Sequence, residues 1–334
     1  MARPGPAFAV VGARAVADVL ARHRGAVADI VRGAYLAHRD GRTVNPDSGF
    51  LRFPDRPSAR IIALPARLRD GGADTAGIKW IASFPGNHAL GVARASAVIV
   101  LNDMETGFPT ACLEGSLISA ARTAASAALA AGLLHGETRA GTLAVVGAGP
   151  IAATTLDHLA CAGWRIGRLR VHDLAGGRAE ALCARLREAG QPAEAAATAE
   201  AAVRGADLVL LATTAAAPHL VDPGLFTPAQ TVLHLSLRDL GVPVILAAQN
   251  VVDDVEHCLK AQTSVHLAEQ ATGGRDFVAG TIADLLTGTL RPDRDRVRVL
   301  SPFGLGVLDL AVARFVLAAA AAEGRAPAVE GFFP

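Results

Sequence analysis

The stretch Thr142-Leu143-Ala144-Val145-Val146-Gly147-Ala148-Gly149-Pro150-Ile151-Ala152 decides the fold. An apolar run with β-branched residues breaks into glycines, and a helical pattern follows at once, which predicts a strand, a tight turn and a helix. The N-terminus of a helix placed in this way presents backbone N–H groups that suit a pyrophosphate. Ala152 stands at the third glycine position of the dinucleotide-binding fingerprint, which requires only a small residue. We therefore expect a dinucleotide to contact Gly147, Ala148, Gly149 and Ile151.

A carboxylate follows this turn at the spacing that dinucleotide binding requires. The next apolar run, residues 169–173, ends in Asp173, and an acid about 20 residues beyond the turn accepts hydrogen bonds from the adenosine ribose. A carboxylate there favours the 2′-hydroxyl of NAD and repels the 2′-phosphate of NADP, so we predict NAD as the cofactor. Arg178 lies close by in the sequence and keeps NADP open. An ordinary buried βα unit with an acid at a strand end is the alternative to the whole pattern.

Strand and helix patterns alternate through the middle of the chain. Strands are predicted at 142–146, 168–173, 193–196, 208–212, 231–235 and 244–247, and helices at 150–162, 177–189 and 198–204. This alternation is typical of an α/β fold with a doubly wound parallel sheet of the Rossmann type. We assign residues 126–302 to such an NAD-binding domain.

The beginning of the chain carries a different pattern. Residues 14–40 predict an amphipathic helix, and apolar runs of period two follow, separated by Pro, Gly, Asn and Asp, at 50–53, 60–64, 77–81, 97–101 and 109–113. They indicate a mostly antiparallel sheet. Ser116 or Ser119 is expected to cap the next, largely apolar helix, and the apolar helix at 304–323 is expected to return to this part. We assign 1–125 and 303–334 to a mostly antiparallel α+β domain for substrate binding and dimerisation.

Composition excludes several classes of partner. The 334 residues carry a formal net charge of +1, so nothing indicates nucleic acid or a membrane surface. No apolar run reaches the roughly 20 residues that span a bilayer, the longest being 124–134 and 315–322. The four cysteines have no paired spacing, so we expect buried thiols in a reducing compartment, no metal site and a cytoplasmic location; they are Cys112, Cys161, Cys183 and Cys258.

Lysine is scarce in this chain. Of 32 basic residues only Lys79 and Lys260 are lysines. An ammonium, unlike a guanidinium, can be deprotonated or act as a compact point charge, so a retained lysine is a candidate for chemistry. Arg122 is a second candidate, because it lies in an otherwise apolar helix. The candidate charged residues of the first domain are Arg52, Lys79, Arg94, Asp103 and Arg122.

The second domain contributes residues that follow predicted strands. Ser236 to Asp239 come just past a strand, at the carboxyl edge where open α/β sheets bind ligands, so Asp239 is expected to face the nicotinamide end of the cofactor. Thr213 and Thr214 follow another strand and are expected to line its phosphates or ribose. Ser236 and Gly304 complete the predicted cofactor contacts. Surface charges, ion pairs between domains and simple caps remain the alternatives for these residues.

Several motifs together resemble the ornithine cyclodeaminase/μ-crystallin family. They are Lys79-Trp80-Ile81, 91–97, 100–103 with 106–109, 118–125, 146–152, 236–239 with 250–254, and 301–306, and they span essentially the whole chain. The longer stretches, with 60–65, look most like the branch that dehydrogenates an intermediate of 2,3-diaminopropionate biosynthesis in siderophore and antibiotic pathways. In the cyclodeaminases a glutamate stands where this chain has Ile62.

The resemblance implies a reaction on N-(2-amino-2-carboxyethyl)-L-glutamate. Hydride would leave the glutamate α-carbon for NAD, and the imine would be hydrolysed to 2-oxoglutarate and L-2,3-diaminopropionate. The carboxylate-binding lysine and arginine of the family fall on Lys79 and Arg122, and its catalytic aspartate falls on Asp239. The family has another arginine earlier in the chain, which has no unambiguous match in this sequence, and Arg52 is the nearest candidate for it. A substrate with three carboxylates needs several cations, and Arg94 would supply another.

Asp239 is expected to act as general base for the amine and for the attacking water, from the cleft between the two domains. The resemblance also implies a homodimer. Three alternatives stay open: a cyclodeaminase that returns the hydride, an imine reductase or amino-acid dehydrogenase acting on a simpler substrate, and a non-catalytic binding protein.

Overall fold

The computed structural model describes residues 7–334, apart from the side chain at position 88. The chain forms two compact units: unit 1 comprises the residues up to Arg122 together with Leu305–Pro334, and unit 2 is Thr123–Gly304. The sequence-based division was placed at 125/126 and 302/303. The function of each unit stays a prediction.

The elements are numbered in chain order. The first are β1 (Phe8–Val11), α1 (Ala13–Arg22), α2 (Arg24–Arg39), β2 (Thr43–Val44), β3 (Gly49–Phe53), β4 (Arg56–Asp70), β5 (Ala73–Ser83), β6 (Ala95–Asn102), β7 (Pro109–Glu114) and α3 (Ser116–His135). Next come β8 (Arg139–Val146), α4 (Pro150–Cys161), β9 (Arg165–His172), α5 (Gly176–Glu188), β10 (Ala193–Ala195), α6 (Ala199–Val203), β11 (Leu208–Leu211), β12 (Thr231–His234) and α7 (Val242–Ala247). The last are β13 (Gln249–Val252), α8 (Val255–Cys258), α9 (Ser264–Thr272), β14 (Val278–Thr281), α10 (Ile282–Thr287), β15 (Arg298–Leu300), α11 (Gly306–Ala322) and β16 (Ala328–Val329). Short 3₁₀ helices occur at Pro85–Leu90 and Pro223–Leu225.

Unit 1 is built on one eight-stranded sheet. Its strand order is β16-β1-β7-β6-β5-β4-β2, with β3 paired to β4 beside β2. Every pair is antiparallel except β1 with β7, which confirms the expected mostly antiparallel sheet. Helix α11 packs against this sheet and buries Leu308, Leu310 and Val312 completely.

The predicted helix at 14–40 is two helices. Its amphipathic pattern is correct, but the chain leaves helical geometry at His23, which has φ −123° and ψ 31° and separates α1 from α2. The apolar periodicity continues across this break, so the sequence pattern did not reveal it.

Helix α3 carries Ser119 and Arg122, and a carboxylate binds the backbone N–H groups at its N-terminus. The backbone N–H groups of Ser116 and Leu117 donate to the carboxylate of Glu114 at 2.8 and 3.0 Å. The expectation that Ser116 or Ser119 caps this helix was therefore wrong. Glu114 ends the preceding strand β7, so sheet and helix are tied together at this point.

Helix α3 is also long and apolar enough, by length and composition, to cross a bilayer. Its most apolar 18-residue window has a mean hydropathy of 1.5, and 67% of that window is buried within the protein. The sequence pattern missed this length because Arg122 interrupts the apolar run. A buried core helix gives the same signal as a membrane span, so the finding indicates only a strongly apolar core helix.

Unit 2 is a parallel, doubly wound sheet. Its strand order is β10-β9-β8-β11-β12-β15-β13-β14, and all of its strand pairs are parallel. The first six strands repeat the dinucleotide-binding order 3-2-1-4-5-6, and the order reverses between β8 and β11. The predicted α/β fold class is confirmed.

One predicted strand of unit 2 was wrong. Residues 244–247 belong to helix α7, and the strand of this region is β13, which begins at Gln249. A short buried apolar run such as Val244 and Ile245 does not by its pattern distinguish strand from helix. Gly241 at the N-cap and Pro243 in the first turn were the available signals, since proline is favoured at a helix start.

Candidate active-site residues

Unit 1 buries a cluster of two cations and one carboxylate. Lys79 on β5 donates from Nζ to Oδ2 of Asp309 at 2.6 Å, and Arg122 on α3 donates from Nε to Oδ1 at 3.1 Å. Both cations also contact the hydroxyl of Ser119, at 3.1 and 3.3 Å. The relative exposures are 0% for Asp309, 2% for Lys79 and 8% for Arg122. Two positive charges and one negative charge leave this cluster with a sum of +1.

Burial changes the acid–base behaviour of this cluster. Loss of hydration lowers the pKa of Lys79 to about 8, although the nearby Asp309 carboxylate opposes the shift and Arg122 adds to it. Burial tends to raise the pKa of Asp309, but the two cations outweigh it and hold that pKa below its ordinary value. The cluster therefore keeps its carboxylate ionised, while Lys79 titrates close to physiological pH.

The other predicted cations of unit 1 lie at one end of the same sheet face. In the β4–β5 ladder Lys79 pairs with Leu64 and Ser83 with Arg60, while Arg60 pairs with Arg52 on β3. Directly opposed residues share a face, so Arg52 lies on the Lys79 side of the sheet. It is exposed, and its guanidinium sits 5.0 Å from the ring centroid of Phe50.

Arg94 joins this row through a side-chain hydrogen bond. Its Nη1 donates to the hydroxyl of Ser83 at 2.7 Å, and burial lowers its pKa. Ser83 is four residues from Lys79 along β5, a distance of about 13 Å in an extended strand. Lys79 and Arg122 are thus brought together by Asp309, whereas Arg94 and Arg52 form a separate group.

Asp103 belongs to a turn. Its Oδ1 accepts the backbone N–H groups of Glu105 and Thr106, at 3.2 and 2.8 Å, and the hydroxyl of Thr106 at 2.6 Å. These bonds lower its pKa, with the Thr106 hydroxyl contributing most. Its side chain shapes the connection between β6 and β7.

In unit 2 the glycine turn lies at the reversal of strand order. Gly147 has φ +92°, and a Cβ there would lie 2.6 Å from the carbonyl oxygen of Ala212, so only glycine fits. Gly149 is the N-cap of α4 without a side-chain cap, and a Cβ there would meet no other described atom within 4 Å. Ala152 is completely buried. The turn is therefore tight on the Ala212 side and open at the start of the helix.

Asp173 is tied to this turn by backbone hydrogen bonds. Its Oδ2 accepts from the N–H of Ala148, and its Oδ1 accepts from the N–H of Ala175, both at 2.8 Å. A carboxylate has about four lone-pair positions, so both oxygens keep capacity for a ribose hydroxyl. Asp173 thus also fixes the conformation of the glycine turn.

Asp239 is the centre of a second cluster, in unit 2. Its Oδ1 accepts from the Thr213 hydroxyl and lies 2.9 Å from Nε2 of His219, while its Oδ2 accepts from the Ser236 hydroxyl. His234 lies 3.4 Å from Oδ2, but its Nε2 accepts the backbone N–H of Asp239 at 3.1 Å. His234 also contacts the Ser301 hydroxyl through Nδ1 at 3.0 Å, which indicates the neutral tautomer protonated there.

The Asp239 carboxylate is strongly stabilised. It has no solvent exposure, and burial alone would raise its pKa, but hydrogen bonds from His219 and neighbouring groups hold that pKa well below the ordinary range. Thr213 and Ser236, which were predicted as cofactor contacts, direct their hydroxyls to this carboxylate. Thr214, the neighbour of Thr213, is exposed.

Gly304 is held by another buried carboxylate. Asp253 accepts the backbone N–H of Gly304 at 2.6 Å through Oδ2 and the N–H of Phe303 at 2.9 Å through Oδ1. Gly304 has φ +100°, which favours glycine at this position. Its own N–H is therefore already used within unit 2.

Sequence reasoning missed four residues of these clusters, which are Asp309, Ser119 as a contact of the two cations, His219 and His234. Asp309 had a usable signal, because a single acid in a strongly apolar helix is rarely buried without a partner. His219 lies in an irregular segment and had no pattern of its own.

The chain is similar to known proteins along most of its length. A model of the ornithine cyclodeaminase/mu-crystallin family matches residues 11–324. The chain belongs to this family. Among curated proteins, N-((2S)-2-amino-2-carboxyethyl)-L-glutamate dehydrogenase of Staphylococcus aureus is 29% identical over 312 residues, which cover 88% of this chain and 90% of the relative.

Two solved structures share the fold. Delta(1)-pyrroline-2-carboxylate reductase of Thermococcus litoralis, in complex with NADH and L-proline, has a TM-score of 0.88 at 21% identity and covers 96% of this chain and 100% of its own. An archaeal alanine dehydrogenase dimer with bound NAD has a TM-score of 0.85 at 23% identity, with 97% of this chain and 99% of its own covered.

The pKa of Lys79 is directly measurable, because the chain contains only two lysines. In protein labelled with carbon-13 at lysine Cε, we expect one signal to titrate at about 8, below the ordinary value of 10.5. The substitution Lys260→Arg removes the other lysine signal and assigns the spectrum. Titration of Lys79 at the ordinary lysine value would contradict the buried arrangement.

Replacing the shared carboxylate should destabilise unit 1. In Asp309→Asn two buried cations lose their anion, and breaking a buried pair in this way costs about 3–5 kcal/mol. Urea denaturation measures the change. Asp18→Asn, which breaks an exposed pair with Arg325 at 2.9 Å, is the matched control and should cost less than about 1 kcal/mol. Equal losses in the two variants would show that Asp309 does not hold the cluster together.

Proposed function

We propose that this protein is an NAD-dependent amine dehydrogenase that oxidises N-(2-amino-2-carboxyethyl)-L-glutamate and releases 2-oxoglutarate and L-2,3-diaminopropionate. The observation that carries the proposal is the buried cluster in which Lys79 and Arg122 both contact the carboxylate of Asp309. Two buried cations held side by side favour an anionic ligand, and a carboxylate matches the geometry of lysine and arginine. The Staphylococcus aureus relative supports the particular substrate.

The glycine turn fits the cofactor. Gly147 approaches the backbone of Ala212 closely, Gly149 leaves the start of α4 open, and the first N–H groups of that helix suit a pyrophosphate. Asp173 follows β9, where a carboxylate favours NAD over NADP. When bound, NAD supplies the acceptor for the hydride that leaves the substrate.

The residues of unit 1 would bind and orient the substrate. Lys79 and Arg122, held by Asp309, would take the carboxylate next to the carbon that is oxidised. Arg94, on the same sheet face, would take a second carboxylate, and Arg52 at the exposed end would attract the anionic substrate. Because the arginines are fixed by Asp309 and Ser83 beforehand, little reorganisation is needed when the substrate binds.

Position 62 favours oxidation over cyclodeamination. Ile62 pairs with Ile81 across the ladder, on the same face as Lys79. A glutamate there would place an anion beside the cluster, as expected for a site that receives a diamino acid. An isoleucine provides no anion for a second amino group, and it leaves the sheet face suited to a substrate rich in carboxylates.

The reaction gives a test that separates the alternatives. Purified protein with NAD⁺ and the conjugate should accumulate reduced nicotinamide, followed by its absorbance, in step with 2-oxoglutarate and diaminopropionate detected by mass spectrometry. NADP⁺ in place of NAD⁺ should give a slower rate.

Other outcomes identify the other reactions. Proline formed from L-ornithine without net NADH would show a cyclodeaminase, and oxidation of L-alanine or reduction of a cyclic imine would show a simpler dehydrogenase or reductase. No turnover of any of these substrates, with a bound dinucleotide, would favour a binding protein. Each of these results without conversion of the conjugate would overturn the proposed function.

The outward face of the unit 1 sheet supports a homodimer. Trp80 and Val98 lie opposite each other on neighbouring strands, and each residue is 41% exposed. Ile78 and Val100 form the next apolar pair on that face. A contiguous exposed apolar patch marks an interaction surface. A second copy of this chain is the occupant that we propose, and the similar archaeal alanine dehydrogenase is itself a dimer.

Substitution on this face should change the oligomeric state. Trp80→Asp places a charge at the centre of the apolar pair and should halve the mass measured by light scattering after size exclusion. Leu246→Asp, at an exposed position of α7 in unit 2, is the control and should leave that mass unchanged. A monomeric wild-type protein would contradict the dimer.

A further inference from the structure

The side chain of His219 is held by the buried carboxylate of Asp239 and reaches solvent. Its Nε2 lies 2.9 Å from Oδ1 of Asp239, and 36% of the side chain is exposed, against 0% for Asp239. Because the carboxylate accepts the proton of Nε2, the other ring nitrogen, Nδ1, is the acceptor in the neutral ring. Across residues 7–334, Nδ1 of His219 enters no hydrogen bond.

Asp239 is poorly suited to take a proton itself. Its two oxygens accept from Thr213, His219 and Ser236, and the whole residue is shielded from solvent. These hydrogen bonds stabilise the ionised form, so a proton on the carboxylate would displace donors that are already in place. A proton arriving from outside meets the histidine ring first.

The ring contact is not needed to join the two chain segments. The backbone N–H groups of His219 and Leu220 donate to the carbonyl oxygen of Asp239 at 3.0 and 2.9 Å, and Gly241 donates to Leu220 at 2.9 Å. The isolated bridge between Leu220 and Leu240 extends this pairing. The backbone thus fixes the two segments, and the side-chain pair is left for another purpose.

We propose that His219 is a further catalytic residue, which takes and returns the proton in the proposed reaction, and that Asp239 is the positioning residue that orients its ring. This inference rests on the proposed function and changes the role of Asp239, which sequence reasoning had assigned as the general base. A buried carboxylate that fixes the tautomer of a histidine and stabilises its imidazolium form is an established arrangement for proton transfer.

The proton balance of the reaction fits one such group. As the Cα–H bond of the glutamate half breaks and hydride leaves to NAD⁺, the lone pair of the neutral amine nitrogen forms the C=N bond of an iminium ion. Water then adds its oxygen to that carbon, and one water proton passes to Nδ1 of His219. The same proton returns to the nitrogen as the C–N bond breaks, and the remaining hydroxyl proton is lost to solvent as the carbonyl of 2-oxoglutarate forms.

Charged neighbours favour the protonated ring. The hydrogen bond to Asp239 is the largest influence and raises the pKa of His219 above its ordinary value of 6.5, burial opposes the rise, and the charges of Asp239 and Glu200 add to it. Glu200 on α6 also interacts with His172, and His234 faces the other oxygen of Asp239. Since only the neutral ring accepts a proton, activity should be lost as pH falls through this raised pKa.

The first test measures the ring itself, apart from turnover. Nuclear magnetic resonance titration of the histidine rings, with His219 assigned by the loss of its signal in His219→Gln, should give a midpoint above 6.5 in the wild-type protein. In Asp239→Asn the midpoint should fall, because the carboxylate that favours the imidazolium is gone. An unchanged midpoint would contradict the pairing.

The second test measures catalysis in the holoenzyme. His219→Ala should lower kcat/KM for the conjugate by about a hundredfold or more, with unchanged NAD⁺ affinity and melting temperature, and added imidazole should restore part of the rate. His219→Gln should lose the same activity, and its pH profile should lack the inflection set by the raised pKa of His219 and keep only the limb caused by protonation of the substrate amine. His266→Ala, at a partly exposed histidine that contacts Gln270 at 3.2 Å, is the control and should keep wild-type kinetics.

The outcomes separate this inference from the proposed function. If the wild-type protein does not convert the conjugate but oxidises another amine, the proposed substrate is wrong, and the same variants are assayed on that amine. If the wild-type protein is active and His219→Ala retains its rate and its acidic limb, His219 is not the proton carrier. A fall in melting temperature that accounts for the lost activity, without rescue by imidazole, would assign the pair a purely structural role.

Discussion

One carboxylate with no access to solvent, Asp309, holds two cations that would otherwise repel each other inside unit 1. Its oxygens contact Lys79 at 2.6 Å and Arg122 at 3.1 Å. Removing such groups from water costs several kcal/mol each, and the attraction offsets this cost only if the geometry is maintained. The sheet that carries Lys79 and the helices that carry Arg122 and Asp309 are therefore coupled through one point. The remaining positive charge makes this interior receptive to anions.

Unit 2 contains the reverse arrangement. There a single anion, Asp239, is surrounded by hydroxyl and imidazole groups and is stabilised in its ionised form. One cluster is suited to receiving negative charge, and the other is suited to supporting a positive charge that appears briefly on a neighbouring ring. The proposed amine oxidation and hydrolysis would need both properties, because the proposed substrate is anionic and a proton would be taken up and returned.

More of the fold than of the candidate site could be predicted from the sequence. The turn at Gly147 and the alternation around it are local features, so the parallel sheet followed from them. Residues 244–247 were misassigned because a short buried apolar run has the same composition in a helix and in a strand. Lys79 and Arg122 were found through lysine scarcity, an isolated charge and family resemblance. Asp309 was not, because its hydrogen bond to Arg122 joins positions 187 residues apart, and such contacts leave no local pattern.

That long separation also affects how the molecule is made. Lys79 and Arg122 leave the ribosome before Asp309, which lies on α11 and reaches them only after all of unit 2 has been translated. Until then the two like charges of a nascent unit 1 lack the carboxylate of Asp309. A chain that stops before α11 would remain in that state. Synthesis of α11 is thus a condition for maturation of the first unit, even though most of that unit is made first.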